Sequence, residues 1–154
     1  MLLPGTVAVV LPAVILRTEA GIEIGWGLAP VFSAAVVLAG VALLAAGLAL
    51  WWWTVRLFAR VGRGTLAPWD PTRQLVVEGP YRHVRNPMIT AVLAVLAGET
   101  LVSGSTGLLI LCAAFVAINS LYFVLHEEPG LERRFGNEYR EYRRAVPRWI
   151  PRRG

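Results

Sequence analysis

The sequence contains no lysine and a single cysteine, and only 16% of its residues are charged. One cysteine, Cys112, excludes an intramolecular disulfide. A zinc signature, a nucleophile–base pair and a phosphate-binding glycine loop are also missing, so no metal site is predicted and neither a hydrolase nor an ATPase is supported. What the chain has instead is a hydrophobic content of 56%, which is typical of an integral membrane protein.

Long runs without charge predict the membrane spans. Residues 28–55 carry no charge over 28 positions, which exceeds a hydrocarbon core of about 30 Å at a rise of about 1.5 Å per residue. Residues 88–125 carry one charge, Glu99, and small turn-forming residues at 103–107 divide them into two helices. The weaker segment 2–16 is interpreted as a short first membrane helix rather than a signal peptide, because no basic residue precedes it.

The predicted fold class is therefore all-α, an integral membrane helical bundle with about four transmembrane helices and a C-terminal amphipathic helix. That last helix is predicted because apolar residues recur every three or four positions over 131–142, with charged residues between them. It would lie in the membrane interface or be a solvated helix packed on the protein. We expect a single domain over residues 1–154, composed of two N-terminal spans (1–58), a cytoplasmic loop (59–87), a helical hairpin (88–125) and a cytoplasmic tail (126–154).

The arginines are distributed unevenly, and this predicts the orientation. Six lie between Arg56 and Arg85 and eight lie from Arg133 onwards, whereas Arg17 alone lies near Glu19 in the remaining part. The positive-inside rule therefore places the long loop, the C-terminus and the candidate site in the cytoplasm, in a multi-pass protein of the plasma (inner) membrane. We expect the basic fringe to contact anionic membrane lipids, and we do not expect nucleic acid as a partner.

Two polar clusters flank the predicted hairpin. Asn86 and Pro87 form a good helix start, and with Arg85 beside them the free amides suit an anionic ligand group, although capping alone would explain both residues. Glu127 and Glu128 are expected at a helix C-terminus, where the helix dipole disfavours negative charge by about 0.3–1 kcal/mol. Arginines would compensate this charge structurally, or a ligand's cation or hydroxyl groups would do so functionally.

The same residues carry a resemblance to a known family. Between about residues 74 and 151 the chain resembles the isoprenylcysteine carboxyl methyltransferase and phospholipid methyltransferase superfamily. The resemblance implies a helical membrane bundle that uses S-adenosylmethionine to methylate lipidic or small apolar substrates. The motifs that carry it are Gly79-Pro80-Tyr81-Arg82, Arg85-Asn86-Pro87, Glu127-Glu128, Phe135-Gly136-Asn137-Glu138-Tyr139, Tyr142 and Val146-Pro147-Arg148.

The resemblance also implies the cofactor-binding residues. Tyr81 would line the adenosine pocket, although it would also suit an interfacial anchor, and Glu127 would meet a polar group of the cofactor. The full predicted set is Gln74, Leu75, Val76, Tyr81, Asn86, Pro87, Met88, Ile89 and Glu127.

The chain departs from the family pattern at four positions. Asn86 replaces the usual histidine, which keeps a capping residue but removes an ionisable ring. Ile89 and Ala91 replace a tyrosine and a glycine, so a hydroxyl near the cofactor is lost. Phe123 stands where the isoprenylcysteine enzymes hold the substrate carboxylate with an arginine. The resemblance therefore disfavours prenylcysteine as the acceptor and favours a neutral or apolar one.

Three residues are candidates for catalysis: Arg85, Asn119 and His126. Asn119 falls on the same predicted helix face as Phe123 and Glu127, where it would contact the substrate or make a hydrogen bond between helices. His126 would accept a proton from the acceptor, as an imidazole general base, or it is an interfacial side chain. The predicted function is an S-adenosylmethionine-dependent methyltransferase; the alternatives are an NADPH-dependent membrane reductase and a non-enzymatic membrane protein whose polar clusters are interfacial salt bridges.

Overall fold

A computed structural model describes residues 5–61 and 75–149 of the chain. Within these ranges the secondary structure is helical and no strand is formed. The α-helices are α1 (Leu11–Thr18), α2 (Pro30–Val61), α3 (Pro87–Ser103), α4 (Thr106–Tyr122) and α5 (Glu128–Ala145), with π-turns at Thr6–Val10 and Phe123–Glu127 and 3-10 turns at Ile24–Gly27 and Gly79–Arg82.

Two helices are long and apolar enough to cross a membrane. They are the stretch Pro30–Leu57 of α2 and the continuous helical stretch Thr106–Ala145, of which the apolar part ends at Leu125. Large apolar side chains on both are exposed, as on a lipid-facing surface: Val31, Phe32, Leu38, Ile110, Ile118, Leu121 and Leu125. The other two predicted spans correspond to the shorter apolar helices Thr6–Thr18 and Pro87–Ser103. The all-helical prediction is thus confirmed for residues 5–61 and 75–149, two of the helices are compatible with a membrane, and the count of four spans stays a prediction.

The described chain divides into two compact units, and the single domain expected from the sequence stays a prediction. The first unit takes its residues from 1–49 and 91–118, and the second takes them from 50–90 and 119–154.

In the first unit, glycines let α2 and α3 approach to backbone contact. A Cβ atom on Gly98 would lie 2.7 Å from the carbonyl oxygen of Gly40 and 2.9 Å from the amide nitrogen of Leu44. One on Gly47 would lie 2.9 Å from the carbonyl oxygen of Ala91. Small residues that permit such close approach are a common basis of helix association in membranes.

The predicted turn between the two helices of the hairpin is confirmed. Gly104 (φ 65°) follows the end of α3, and α4 begins two residues later. The Glu19 carboxylate caps α4, since it accepts hydrogen bonds from the Ser105 hydroxyl and, at 3.1 Å, from the Gly107 amide. These bonds lower the pKa of Glu19. They also fix the end of α1 beside the start of α4.

In the second unit, the helix continues through the acidic pair, which corrects one prediction. Glu127 and Glu128 were expected at a helix C-terminus, but the helix runs from α4 through the π-turn into the first half of α5, without a break at the two glutamates. Pro129 does not end it, because the π-turn widens the helix ahead of the proline ring, which would otherwise clash with the carbonyl of Leu125. The helix-dipole penalty predicted for the two glutamates therefore does not apply.

Candidate functional site

The start of α3 is fixed by its cap, as the sequence predicted. The Asn86 side-chain oxygen accepts a hydrogen bond from the Ile89 amide at 3.3 Å, and Pro87 is the first residue of the helix. The 3-10 turn Gly79–Arg82 precedes it and buries Pro80 and Tyr81. The sequence folds this way because proline favours the first positions of a helical turn and lacks the amide that would be left unpaired there.

A carboxylate held by two arginines lies beside this cap. The Arg85 Nη1 donates to Glu128 Oε1 at 2.8 Å, and Arg148 donates to the same oxygen from Nε at 2.9 Å and Nη2 at 2.7 Å. The side chains of Arg85 and Glu128 are only 15% and 14% exposed. Such partly buried, charge-assisted bonds are stronger than those of surface ion pairs. The compensation that the sequence left open is therefore provided structurally for Glu128.

Three tyrosines surround the same region. The Tyr142 hydroxyl donates to the main-chain oxygen of Tyr81 at 2.8 Å, and Tyr139, only 2% exposed, packs with its ring centroid 6.2 Å from that of Tyr142. Burial raises the pKa of the Tyr81 phenol, and Tyr142 and Glu127 raise it further. Tyr81 thus remains protonated and electrostatically coupled to Glu127.

Glu127 differs from its neighbour Glu128. It lies at the end of the π-turn, two residues beyond the last apolar residue of the span, and its side chain is only partly accessible. Within the described part of the chain it has neither a hydrogen bond nor a salt bridge. Burial raises its pKa to about 7, and repulsion from Glu128 contributes. A carboxyl group that is partly buried, has no partner among the described residues and has a raised pKa is characteristic of a binding or catalytic position.

π-turns of this kind occur frequently at functional sites. A second π-turn, Thr6–Val10, lies where no site is predicted, so the backbone geometry alone identifies nothing. At Phe123–Glu127 the turn coincides with the unpaired carboxylate, and this coincidence makes it part of the candidate site.

Most of the predicted cofactor-binding residues lie in the second unit and are buried. Leu75 and Asn86 are half-buried, and Gln74 lies outside the described residues. The buried members of the set are Val76, Tyr81, Pro87, Met88 and Ile89. Two pairs within this set interact directly: Tyr81 with Glu127 electrostatically, and Asn86 with Ile89 through the capping hydrogen bond. Cofactor binding by these residues stays a prediction.

The three predicted catalytic residues occupy different environments. Arg85 is engaged by Glu128, and Asn119 is half-buried on α4. His126 is exposed and stacks on Tyr122, with ring centroids 5.6 Å apart. Phe123 is only 3% exposed and packs against Trp149 at 5.8 Å. Arg85 thus has a structural partner, and the catalytic roles stay predictions.

Sequence reasoning did not single out several residues that complete this site. Tyr142 was marked only by its motif and by the apolar periodicity of α5, and Arg148 only by its motif and as one of the tail arginines that could compensate the charge of the glutamates. Trp149 had none. Their contacts span long separations, since Tyr142 and Tyr81 are 61 positions apart along the chain.

Comparison with known proteins gives one match. A family model described as phospholipid methyltransferase matches residues 35–138, well over half of the chain. It covers α2, α3, α4, the π-turn with Glu127 and the first half of α5, and stops before Arg148. Searches of curated proteins and of solved structures gave no match.

Proposed function

The chain belongs to the phospholipid methyltransferase family, and from this membership we propose that it transfers the methyl group of S-adenosylmethionine to a lipidic or small apolar acceptor at the cytoplasmic face of the membrane. Membership supports a membrane methyltransferase. The cofactor, the acceptor class and the cytoplasmic face of the membrane are proposals.

The observation that carries the proposal is the unpaired Glu127. A partly buried carboxylate is stabilised by a compensating charge or by hydrogen-bond donors, and within the described residues Arg85 and Arg148 bind Glu128 instead of Glu127. S-adenosylmethionine offers what Glu127 lacks, since it carries an ammonium group and ribose hydroxyls. The residues present therefore fit this cofactor.

The neighbouring residues have complementary roles in the proposal. Tyr81 would line the adenosine pocket, and the apolar side chains of Met88 and Ile89 would exclude water. When bound, the cofactor would supply a sulfonium-activated methyl group. The work left to the protein is mainly to align the acceptor with that methyl group, which in favourable cases is worth about 7–11 kcal/mol of the barrier.

The acceptor side of the site is apolar. Phe123 occupies the position at which the isoprenylcysteine enzymes are expected to hold a carboxylate, and its ring is buried against Trp149. An acceptor with a carboxylate would find no counter-charge from this residue. We propose that a neutral or apolar group lies there, with Asn119 as a polar contact and His126 as the group that accepts its proton.

Binding of S-adenosylhomocysteine, measured by calorimetry in detergent, tests the cofactor assignment. We expect wild type to bind and Glu127→Gln to lose about tenfold or more in affinity, the value of a hydrogen bond to a charged group. Glu141→Gln, a change on the exposed side of α5, should bind like wild type. Equal affinity of the two variants would remove Glu127 from the site, and failure of wild type to bind either S-adenosylhomocysteine or S-adenosylmethionine at millimolar concentration would overturn the proposed function.

A further inference from the structure

The segment that follows α5 returns to the candidate site. We call residues 146–149 the C-terminal strap. The Pro147 carbonyl accepts a hydrogen bond from the Arg85 amide at 3.0 Å, and Arg148 binds Glu128 through two nitrogen atoms. Val146 is only 8% exposed. The strap is therefore attached to the second unit by its main chain and by its side chains.

A bend in α5 makes this return possible. Gly136 has φ 55° and ψ −123°, a conformation outside the helical region that glycine adopts with little strain. Across the bend, Glu132 accepts from Arg140 Nε at 2.8 Å and from Arg143 Nη1 at 3.2 Å. A straight helix would separate the Cα atoms of residues 132 and 143 by about 16 Å, too far for these side chains to meet. The second half of α5 is thus folded back toward the first.

At its end the strap contacts the apolar part of the site. The Trp149 ring lies 5.8 Å from the Phe123 ring, centroid to centroid. Phe123 belongs to the π-turn that also carries Glu127. Fastening the strap therefore fixes an aromatic side chain against the residue that we assign to the acceptor.

We propose that Arg148 is a positioning residue: by binding Glu128 it fastens the C-terminal strap over Arg85 and Phe123, so that Trp149 closes the acceptor side of the site. This inference rests on the proposed function for its role in methyl transfer. Arg148 touches neither cofactor nor acceptor in this account and acts through Glu128. Its consequence is that a ligand bound at Glu127 leaves more slowly while the strap is fastened.

Hydrogen exchange and ligand dissociation test the proposal together. The Arg85 amide reports directly on the strap because its acceptor is the Pro147 carbonyl. Arg148→Met should accelerate exchange of this amide and dissociation of S-adenosylhomocysteine by about tenfold each, as expected from losing a charge-assisted hydrogen bond. Arg148→Lys can still donate to Glu128, so it should accelerate amide exchange and ligand dissociation less than Arg148→Met does. Arg144→Met, which removes an exposed arginine from the last turn of α5, is the matched control and should behave like wild type.

The Thr90 amide, which donates to Asn86 within α3, shows whether a variant has remained folded. If Arg148→Met is unfolded by this measure, Arg148→Lys decides the question. Unchanged Arg85 exchange and unchanged dissociation in a folded variant would overturn the inference and leave the proposed function intact. If wild type binds neither S-adenosylhomocysteine nor S-adenosylmethionine, the proposed function fails and the positioning role fails with it, while Arg85 exchange still shows whether Arg148 fastens the strap.

Discussion

Arg85 and Glu128 are 43 residues apart in the sequence, yet a guanidinium nitrogen of one lies 2.8 Å from a carboxylate oxygen of the other. This pair joins the start of α3 to the start of α5 within the second unit. Arg148 binds the same oxygen, so one carboxylate compensates two guanidinium groups. Removing the shared carboxylate would leave two cations without their anion, whereas removing one guanidinium group would leave one ion pair in place.

We expect Glu128→Gln to be more destabilising than Arg148→Gln. The first change leaves two cations close together in a partly buried place without their anion, and should cost about 2–3 kcal/mol of the free energy of unfolding. The second leaves the Arg85–Glu128 bridge in place and should cost about 1 kcal/mol. Unfolding in detergent, followed by circular dichroism, measures both.

Glu141→Gln serves as the control for this comparison, because it removes an exposed carboxylate from α5 and should change stability by less than about 0.5 kcal/mol. Equal losses for Glu128→Gln and Arg148→Gln would contradict the view that Glu128 is the shared centre of the cluster.

Cofactor affinity should depend on pH through Glu127. Its pKa of about 7 means that the carboxylate form, which can accept hydrogen bonds from a ligand, becomes the major form only above neutral pH. Affinity for S-adenosylhomocysteine should therefore rise about tenfold between pH 6 and pH 8 and then level off. Calorimetry across this range measures the effect. A profile that remains equally steep in Glu127→Gln would assign the titration to another group.

The stability of the ligand-free protein should change in the opposite direction, mainly between pH 4.5 and pH 7. The folded-state pKa of Glu127 lies above its ordinary value of 4.5, so between those two values the folded state binds more protons than the unfolded state. By linkage, the contribution of Glu127 to stability falls as the pH rises from 4.5 through 7. Glu127→Gln should remove this contribution. Affinity for the ligand should therefore rise with pH, whereas the contribution of Glu127 to stability should fall. This difference in sign distinguishes a role of Glu127 in binding from a role in folding.

The local features of the fold could be predicted from the sequence. The uncharged run of α2, the turn at Gly104 and the capped start of α3 at Asn86 each depend on residues that are neighbours in the chain. Hydrophobic periodicity also predicted the amphipathic character of α5, where Tyr139 is buried and Arg140 is exposed. Each of these features follows from composition and spacing within a few turns of helix.

The helix through the acidic pair was harder to predict. A proline and a glycine after Glu128 suggested a boundary, because Pro129 cannot continue a regular α-helix without a clash. The π-turn that accommodates it leaves no distinct signal in residue spacing. The expected helix end at Glu127 and Glu128 was therefore wrong.

The ion-pair partners could not be predicted for a different reason. The chain has 15 arginines and two adjacent glutamates at the site, and no spacing rule selects Arg85 and Arg148 as the partners of Glu128. The choice depends on the bend at Gly136, which brings Arg148 back along the chain. Leaving Glu127 unpaired is a result of that same tertiary arrangement.

Two glycine substitutions of opposite expected sign test the close packing of α2 and α3. Gly98→Ala would place a Cβ atom 2.7 Å from the Gly40 carbonyl oxygen and 2.9 Å from the Leu44 amide nitrogen, and these backbone atoms can yield only if the helices separate. We expect a loss of about 1–3 kcal/mol of the free energy of unfolding. Gly130→Ala meets no atom within 4 Å, and Gly130 is a helical residue that has no positive φ itself, so the change should gain about 0.5–1 kcal/mol. Melting temperatures in one detergent compare the two variants directly. Stabilisation by both would mean that the helices of the first unit do not approach to backbone contact, because alanine's better helix propensity would then be the only difference that matters.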